Sequence, residues 1–228
     1  LNLLGREVAP YPSHSLRLIT VPEIGLNGYA LPQTIQLSHR LAVRAFPLPD
    51  AGFSQTYRRA AHETAHQWFG HRIGHGIAEE RAFLVESLAK YTELVVIEHR
   101  FGGNAMRALV AYERDRYRQA RLDPAAPVTA LTDAEEREDS YSRATLAFAC
   151  LRQQVGDKPI LSAIRTITRQ SEKTGRPARS IDFVEALVAA SDQSAARLIY
   201  SLFLDRAPLA DGFIRSGCDL ERLGFKTE

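Results

Sequence analysis

Residues 62–70 read "HETAHQWFG". Two histidines stand four apart, with a glutamate directly after the first. Positions i and i+4 of a helix share one face, a turn apart. His62 and His66 can therefore present two imidazoles to one ion, and imidazole with carboxylate in a tetrahedral array suits zinc. Glu63 is rotated by about 100° from His62. It need not ligate and is placed to take a proton from the attacking water. This is the H-E-x-x-H spacing with which a zinc site hydrolyses peptide bonds. Short motifs also arise by chance, so context decides. Here the motif falls inside a predicted helix over 54–69, and Trp68 and Phe69 can anchor that helix in the core.

A third ligand is expected downstream. Glu86 sits in "AFLVESLAKY" (82–91) between Leu84, Val85 and Leu88. A carboxylate in so apolar a run is costly unless it is paired or holds a metal. The alternatives are that Glu86 faces solvent or pairs with Lys90 at i+4. Glu79 and Glu80 compete for the role, but they stand at a polar helix start, where acids cap well. With Glu86 the protein supplies three ligands and leaves the fourth zinc position open. His71 and His75 follow the motif in a glycine-containing turn and read as surface or supporting residues.

The chain has 228 residues, 45% hydrophobic and 25% charged, with a formal net charge of +2. That is an ordinary globular balance. The charge is too small, and the arginines too scattered, for a nucleic-acid partner. Two cysteines cannot make a disulfide framework. Cys150, in "LAFACL" (146–151), reads as a buried thiol, with a bridge to Cys218 left open. No stretch approaches the 18 apolar residues of a membrane span. The chain starts at Leu1 and its one methionine is Met106, so it is expected to be a piece or a processed form of a longer protein.

The first fifty residues alternate and are β-rich. "SLRLIT" (15–20), "TIQLS" (34–38) and "LAVRAF" (41–46) read as strands between Pro, Gly and Asn. Helical patterns follow at 79–100, 104–121 (charged and solvated), 137–155, 158–172, 181–191 and 194–205. Leu161, Ile164, Ile167 and Thr168 keep helical spacing. The expected organisation is a small β unit over 1–50 carrying a substrate-binding edge strand, a zinc-binding helical core over 51–122, and a C-terminal helical part over 123–228. Residues 206–228 suggest no role.

"HETAHQWFG" followed by "LVESLAKY" (84–91) resembles the gluzincin family of zinc aminopeptidases typified by membrane alanyl aminopeptidase. The resemblance covers about residues 10–205 and is strongest over 62–91. It implies an α+β, thermolysin-like zinc peptidase domain, with a small N-terminal sheet packed on a mostly helical body. It implies one zinc ion on His62, His66 and Glu86, with Glu63 as general base and a peptide as substrate. The family's usual gap between second histidine and glutamate is eighteen residues; here it is nineteen, and a loop absorbs the difference. A family pattern Y-x-K-G supplies an oxyanion-steadying tyrosine. The matching "SYSRA" (140–144) gives Tyr141, with Arg143 and Ala144 replacing lysine and glycine.

The family's G-x-M-E-N edge strand, whose glutamate binds the substrate's free amine, maps onto "GYALP" (28–32). Gly28, Tyr29 and Ala30 are then the substrate-binding residues, but Leu31 and Pro32 stand where the glutamate and asparagine would be. Glu23 lies outside the pattern. The strand still suits an extended peptide, so aminopeptidase-like hydrolysis without the amine-binding carboxylate is expected. The longer gap and "YALPQTIQLS" (29–38) are more similar to a bacterial branch joined to transporter-permease-like segments. That likeness implies attachment to membrane-spanning segments outside this chain. The second reading, from another class, is a catalytically weak or inactive zinc-bearing domain that holds peptides within a larger membrane protein.

Overall fold

A computed structural model of the chain describes residues 1–22, 28–40, 52–73, 82–120 and 128–206. The expected strand at 41–46, His75, Glu79, Glu80 and residues 207–228 lie outside them. A short helix that the sequence pattern did not announce, α1 (Asn2–Glu7), comes first. It is followed by β1 (Arg17–Val21), β2 (Gly28–Leu31) and β3 (Thr34–Ser38). The strand order is β1-β3-β2, with β1 parallel and β2 antiparallel to β3. β2 is thus an edge strand among the described residues. Ile35 and Leu37 of β3 point into the core at 2% and 1% exposure, the period-two burial of a sheet with one wet face.

A two-residue turn, Pro32-Gln33, joins β2 to β3. Proline presets its own φ, and Gln33 takes φ 61°, a left-handed conformation unusual for a residue with a side chain. The turn is held from outside the sheet. The Gln33 N–H donates to Gln67 Oε1 at 2.8 Å, and Gln67 Nε2 donates to the Leu31 carbonyl at 2.9 Å. One buried amide therefore ties the edge strand to the segment that carries the motif.

That segment is helix α2 (Gln55–Ala65), whose N-terminus is capped by Ser54 accepting from the Tyr57 N–H at 3.2 Å. Arg58, His62 and Ala65 form its buried stripe. The helix ends sooner than the 54–69 expectation: His66 is the C-cap, and the chain then turns so that Trp68 and Phe69 bury completely. Trp68 Nε1 donates to the Ala9 carbonyl at 2.8 Å, which pins the turn to the N-terminal segment.

The expected helix over 79–100 begins, within the described residues, as a π-helical turn (Ala82–Ser87). It continues as α3 (Leu88–Phe101) and stops at Gly102, φ 85°. Next is α4 (Gly103–Ala120). It is less solvated than its charges suggest, because Leu109, Val110, Glu113 and Tyr117 are buried. A second π-helical turn (Glu138–Arg143) opens α5 (Ala144–Val155). The bundle closes with α6 (Asp157–Thr174), α7 (Ser180–Ala190) and α8 (Ala196–Phe203). Leu161, Ile164, Ile167 and Thr168 form the buried stripe of α6, as their spacing predicts.

Phe83, Phe148, Phe183 and Phe203 meet in one aromatic cluster with centroids 5.4–6.5 Å apart. Burying each ring is worth about 1.5–3 kcal/mol. Phe83 belongs to the first π turn, so the cluster anchors that turn to the bundle. Cys150 is fully buried, but it is disulfide-bonded and not the thiol its apolar surroundings suggested.

Candidate metal centre

All eight residues expected to form the site, Gly28, Tyr29, Ala30, His62, Glu63, His66, Glu86 and Tyr141, line one cleft of about 480 Å³. α2 supplies the two histidines and Glu63, the π turn before α3 supplies Glu86, and the π turn before α5 supplies Tyr141. A π turn inserts one residue into the helical ladder and re-aims what it carries, and such turns concentrate at functional sites.

His62 and His66 meet edge to face, with ring centroids 4.7 Å apart. Glu86 Oε2 lies 3.0 Å from His62 Nε2 and 3.6 Å from His66 Nε2. One ligand atom from each of the three falls within 4.8 Å of the others. Tetrahedral zinc at bond lengths near 2.0–2.1 Å needs donors about 3.3 Å apart, so this donor set fits that ion. Lys90 does not compensate Glu86, as an i,i+4 pair would; it is committed elsewhere.

The electrostatics agree with the fit. Burial, and then the neighbouring His62, lower the His66 pKa to about 4, so its ring nitrogen is unprotonated at neutral pH. Burial disfavours a charge on Glu86, but the His62 hydrogen bond and the fields of both histidines outweigh it and hold the carboxyl at about 2. For His62, burial is outweighed by contacts with Glu86 and Glu93, and its pKa rises. A cation entering the triad displaces that proton.

Glu63 is 3% exposed, and burial raises its pKa. A raised carboxylate suits a group that must both accept and return a proton. Gly28 of the edge strand packs directly on it: a Cβ built there would lie 2.4 Å from Glu63 Oε1. Tyr141 stacks on His62 at 5.5 Å and hydrogen-bonds to Glu86. Burial and Glu86 push its phenol up, so it remains a donor at neutral pH. His71 is half-buried and lines the same cleft.

Behind the centre lies a buried ionic network that the sequence reading missed. Glu93 Oε1 approaches His62 Nδ1 at 2.8 Å, as an ionic contact off ideal hydrogen-bond geometry. Glu93 Oε2 takes Lys90 at 2.6 Å and Arg58 at 3.4 Å. Glu113 accepts from Arg58 at 2.6 Å, Lys90 at 2.7 Å, Ser142 at 2.8 Å and Arg116 at 3.1 Å. A carboxylate on the far nitrogen of a ligating histidine fixes the ring's orientation and tautomer. The cost argument that singled out Glu86 applies equally to Lys90 and Glu93 in the same apolar helix, and would have flagged both.

Residues 38–201 match the peptidase family M1 domain. No curated protein matches. Among solved structures, a two-domain M1 zinc metallopeptidase, a glutamate-to-alanine variant bound to L-tryptophan, is 22% identical with a TM-score of 0.64. It covers 90% of this chain and 43% of its own. An M1 zinc metallopeptidase variant from Deinococcus radiodurans, bound to a Tyr-Ser-Ala substrate, is 20% identical with a TM-score of 0.62, over 90% and 43%. The chain therefore spans less than half the length of these structures. Their likeness fixes the fold as a thermolysin-like domain, a small three-stranded sheet on a mostly helical body. With the family match running over most of its length, the chain belongs to peptidase family M1, a family of zinc metallopeptidases.

Proposed function

We propose that the chain is the catalytic domain of a zinc-dependent peptidase in which His62, His66 and Glu86 hold the ion. One observation carries this reading: the ligand triad, Glu63 and β2, an edge strand among the described residues, share one cleft. Zinc held by three protein ligands keeps a position open and supplies Lewis acidity there. The substrate lies extended along β2, where backbone groups at Gly28, Tyr29 and Ala30 pair with it. Glu63 takes a proton from the attacking water as its oxygen bonds the scissile carbonyl carbon. Tyr141 donates its phenol proton in a hydrogen bond to the oxyanion. Glu63 then delivers its proton to the amide nitrogen, the C–N bond breaks, and the amine leaves.

By the likeness to the family's edge-strand motif, Leu31, 40% exposed, takes the place of the amine-binding glutamate. Hydrolysis is therefore aminopeptidase-like in chemistry without demanding a free N-terminus. The units 1–50, 51–122 and 123–228 supply the strand, the ligands and the oxyanion tyrosine. No helix among the described residues is long and apolar enough to cross a membrane; the proposed attachment to membrane-spanning segments outside this chain rests on the resemblance to the transporter-linked branch. A buried base aimed into the cleft favours catalysis over the peptide-holding alternative, which has no use for one.

The test compares quenched peptides of one sequence, free and acetylated at the N-terminus, on the wild type and on Glu63→Gln, with zinc content measured in both. Glu63→Gln should retain zinc and lose nearly all turnover, and the acetylated peptide should be cut by the wild type. Unchanged hydrolysis in the variant overturns the assignment of the base. A zinc-loaded wild type that cuts neither peptide supports the peptide-holding reading.

A further inference from the structure

The cleft is lined by unusual charges for a site that handles peptide N-termini. Among the described residues its carboxylates are Glu63 and Glu86, both already committed, while Arg59 and Arg137 stand on its wall. Among the described residues a protonated amine finds no uncommitted carboxylate there and two cations to avoid. Beyond Tyr141 the cleft adjoins a second chamber of about 540 Å³, and the two share Arg59, Arg137 and Tyr141. Among the described residues the chamber's other charged walls are Arg58, Arg116 and Glu138.

The arginines differ in how far they are neutralised. Arg58 is held by two carboxylates, Glu113 at 2.6 Å and Glu93 at 3.4 Å, although its Nε is also buried without a hydrogen bond, and Arg116 pairs with Glu113 at 3.1 Å. Glu113 in turn accepts four donors, counting Lys90 and Ser142, and has no capacity left for further cations. Among the described residues Arg59 reaches one carboxylate, Glu63, at 3.5 Å, and its Nε is buried without a hydrogen bond. Arg137 lies over the Tyr141 ring at 5.5 Å, its guanidinium fork beside the passage between cleft and chamber. A guanidinium offers paired donors that match a carboxylate. Two such forks, lining both cavities together with Tyr141 and incompletely paired among the described residues, make an anion-accepting wall of the cleft.

We propose that this site selects peptides carrying a carboxylate near the scissile bond, held by Arg59 and Arg137. The carboxylate comes either from an acidic side chain or from the peptide's own C-terminus. The proposal rests on the peptidase reading above and deepens it to a substrate class. It also gives the missing amine-binding glutamate a physical sense: the site's charge preference is inverted.

Binding and turnover test it separately. A set of quenched peptides with amidated C-termini carries glutamate in place of glutamine at each position flanking the cleaved bond. A second set keeps glutamine throughout and frees the C-terminal carboxylate. Affinities are measured on zinc-loaded Glu63→Gln protein, and kcat/KM on the wild type. A peptide of one set should bind about tenfold tighter than its neutral parent, the worth of one charge-assisted pair. The preference should shrink as salt is raised and vanish when Arg137→Gln is added, whereas Arg137→Lys should keep part of it. Which set responds identifies the source of the carboxylate. Equal binding of acidic and neutral peptides, or a preference surviving Arg137→Gln, overturns the proposal. Selective binding with no turnover by the wild type keeps it and removes the peptidase reading. Turnover without acidic preference does the reverse.

Discussion

At the scale of single residues, Gly28 and Glu63 leave no room between them for a side chain. The edge strand comes so near the base that an added methyl would sit 2.4 Å from Glu63 Oε1 and 2.7 Å from its carboxyl carbon. Gly28 needs no left-handed conformation for this; the requirement is space alone. The lesser resistance is the Glu63 side chain, because the strand is tied through Gln67. Gly28→Ala should therefore fold and bind zinc normally while kcat falls by about 10²-fold, the cost of a displaced catalytic group. Peptide turnover alongside zinc content and thermal unfolding checks it. A variant with full activity would mean that Glu63 works from another position. That His62, Glu63, His66 and Glu86 come together was legible in the sequence, because helical spacing and an apolar surround are local signals. Tyr141 was legible only through resemblance, since an isolated tyrosine carries no such mark.

At the scale of elements, what the sequence did not reveal is how the pieces are aimed. A hydrophobic pattern reports that 79–100 and 137–155 are helical, but it does not report the π turns at Ala82–Ser87 and Glu138–Arg143. Those turns point Glu86 and Tyr141 into the cleft. The strand at 34–38 was readable to the residue from its alternation, whereas its partner order and the parallel β1 pairing depend on contacts distant in sequence. Gln67 is the clearest instance. It stands in the motif as an ordinary polar residue, yet its amide makes both hydrogen bonds that hold the β2–β3 turn. Gln67→Ala removes both hydrogen bonds from part-buried backbone groups that water can still reach, at about 0.5–1.5 kcal/mol each. The expected result is faster amide exchange over 28–38 than over α3. KM should rise several-fold, with a smaller change in kcat, because the peptide-pairing edge loosens while the ligand triad stays. Uniformly faster exchange throughout the protein would instead mean global destabilisation.

At the scale of the whole molecule, the zinc helix, α3, α4 and the second π turn are joined through one buried set of charges. Arg58, Lys90, Glu93 and Glu113 balance to zero net charge, and all are at most 5% exposed. Such a cluster adds little over an apolar core when intact, but removing one member leaves an unpaired charge, at about 3–5 kcal/mol. For a chain of this size that is a fall in Tm of roughly 6–20 °C, expected for Glu113→Gln near neutral pH. Acid should abolish the difference. Burial opposes ionisation of Glu113, but Lys90 and Arg58 outweigh it and hold its pKa at about 2, against 4.5 for an ordinary glutamate. Between those values the unfolded chain carries a proton that the folded protein does not, so Glu113's contribution is full above about pH 4.5 and is lost as the pH falls toward 2. Wild type and Glu113→Gln, both stripped of metal so that ligand protonation does not intrude, should therefore converge in stability over that interval. Denaturant titrations at steps of pH read this directly. A gap that stays constant down to pH 2 would show that Glu113 acts through packing, and that its charge is not what binds the four elements behind the metal centre.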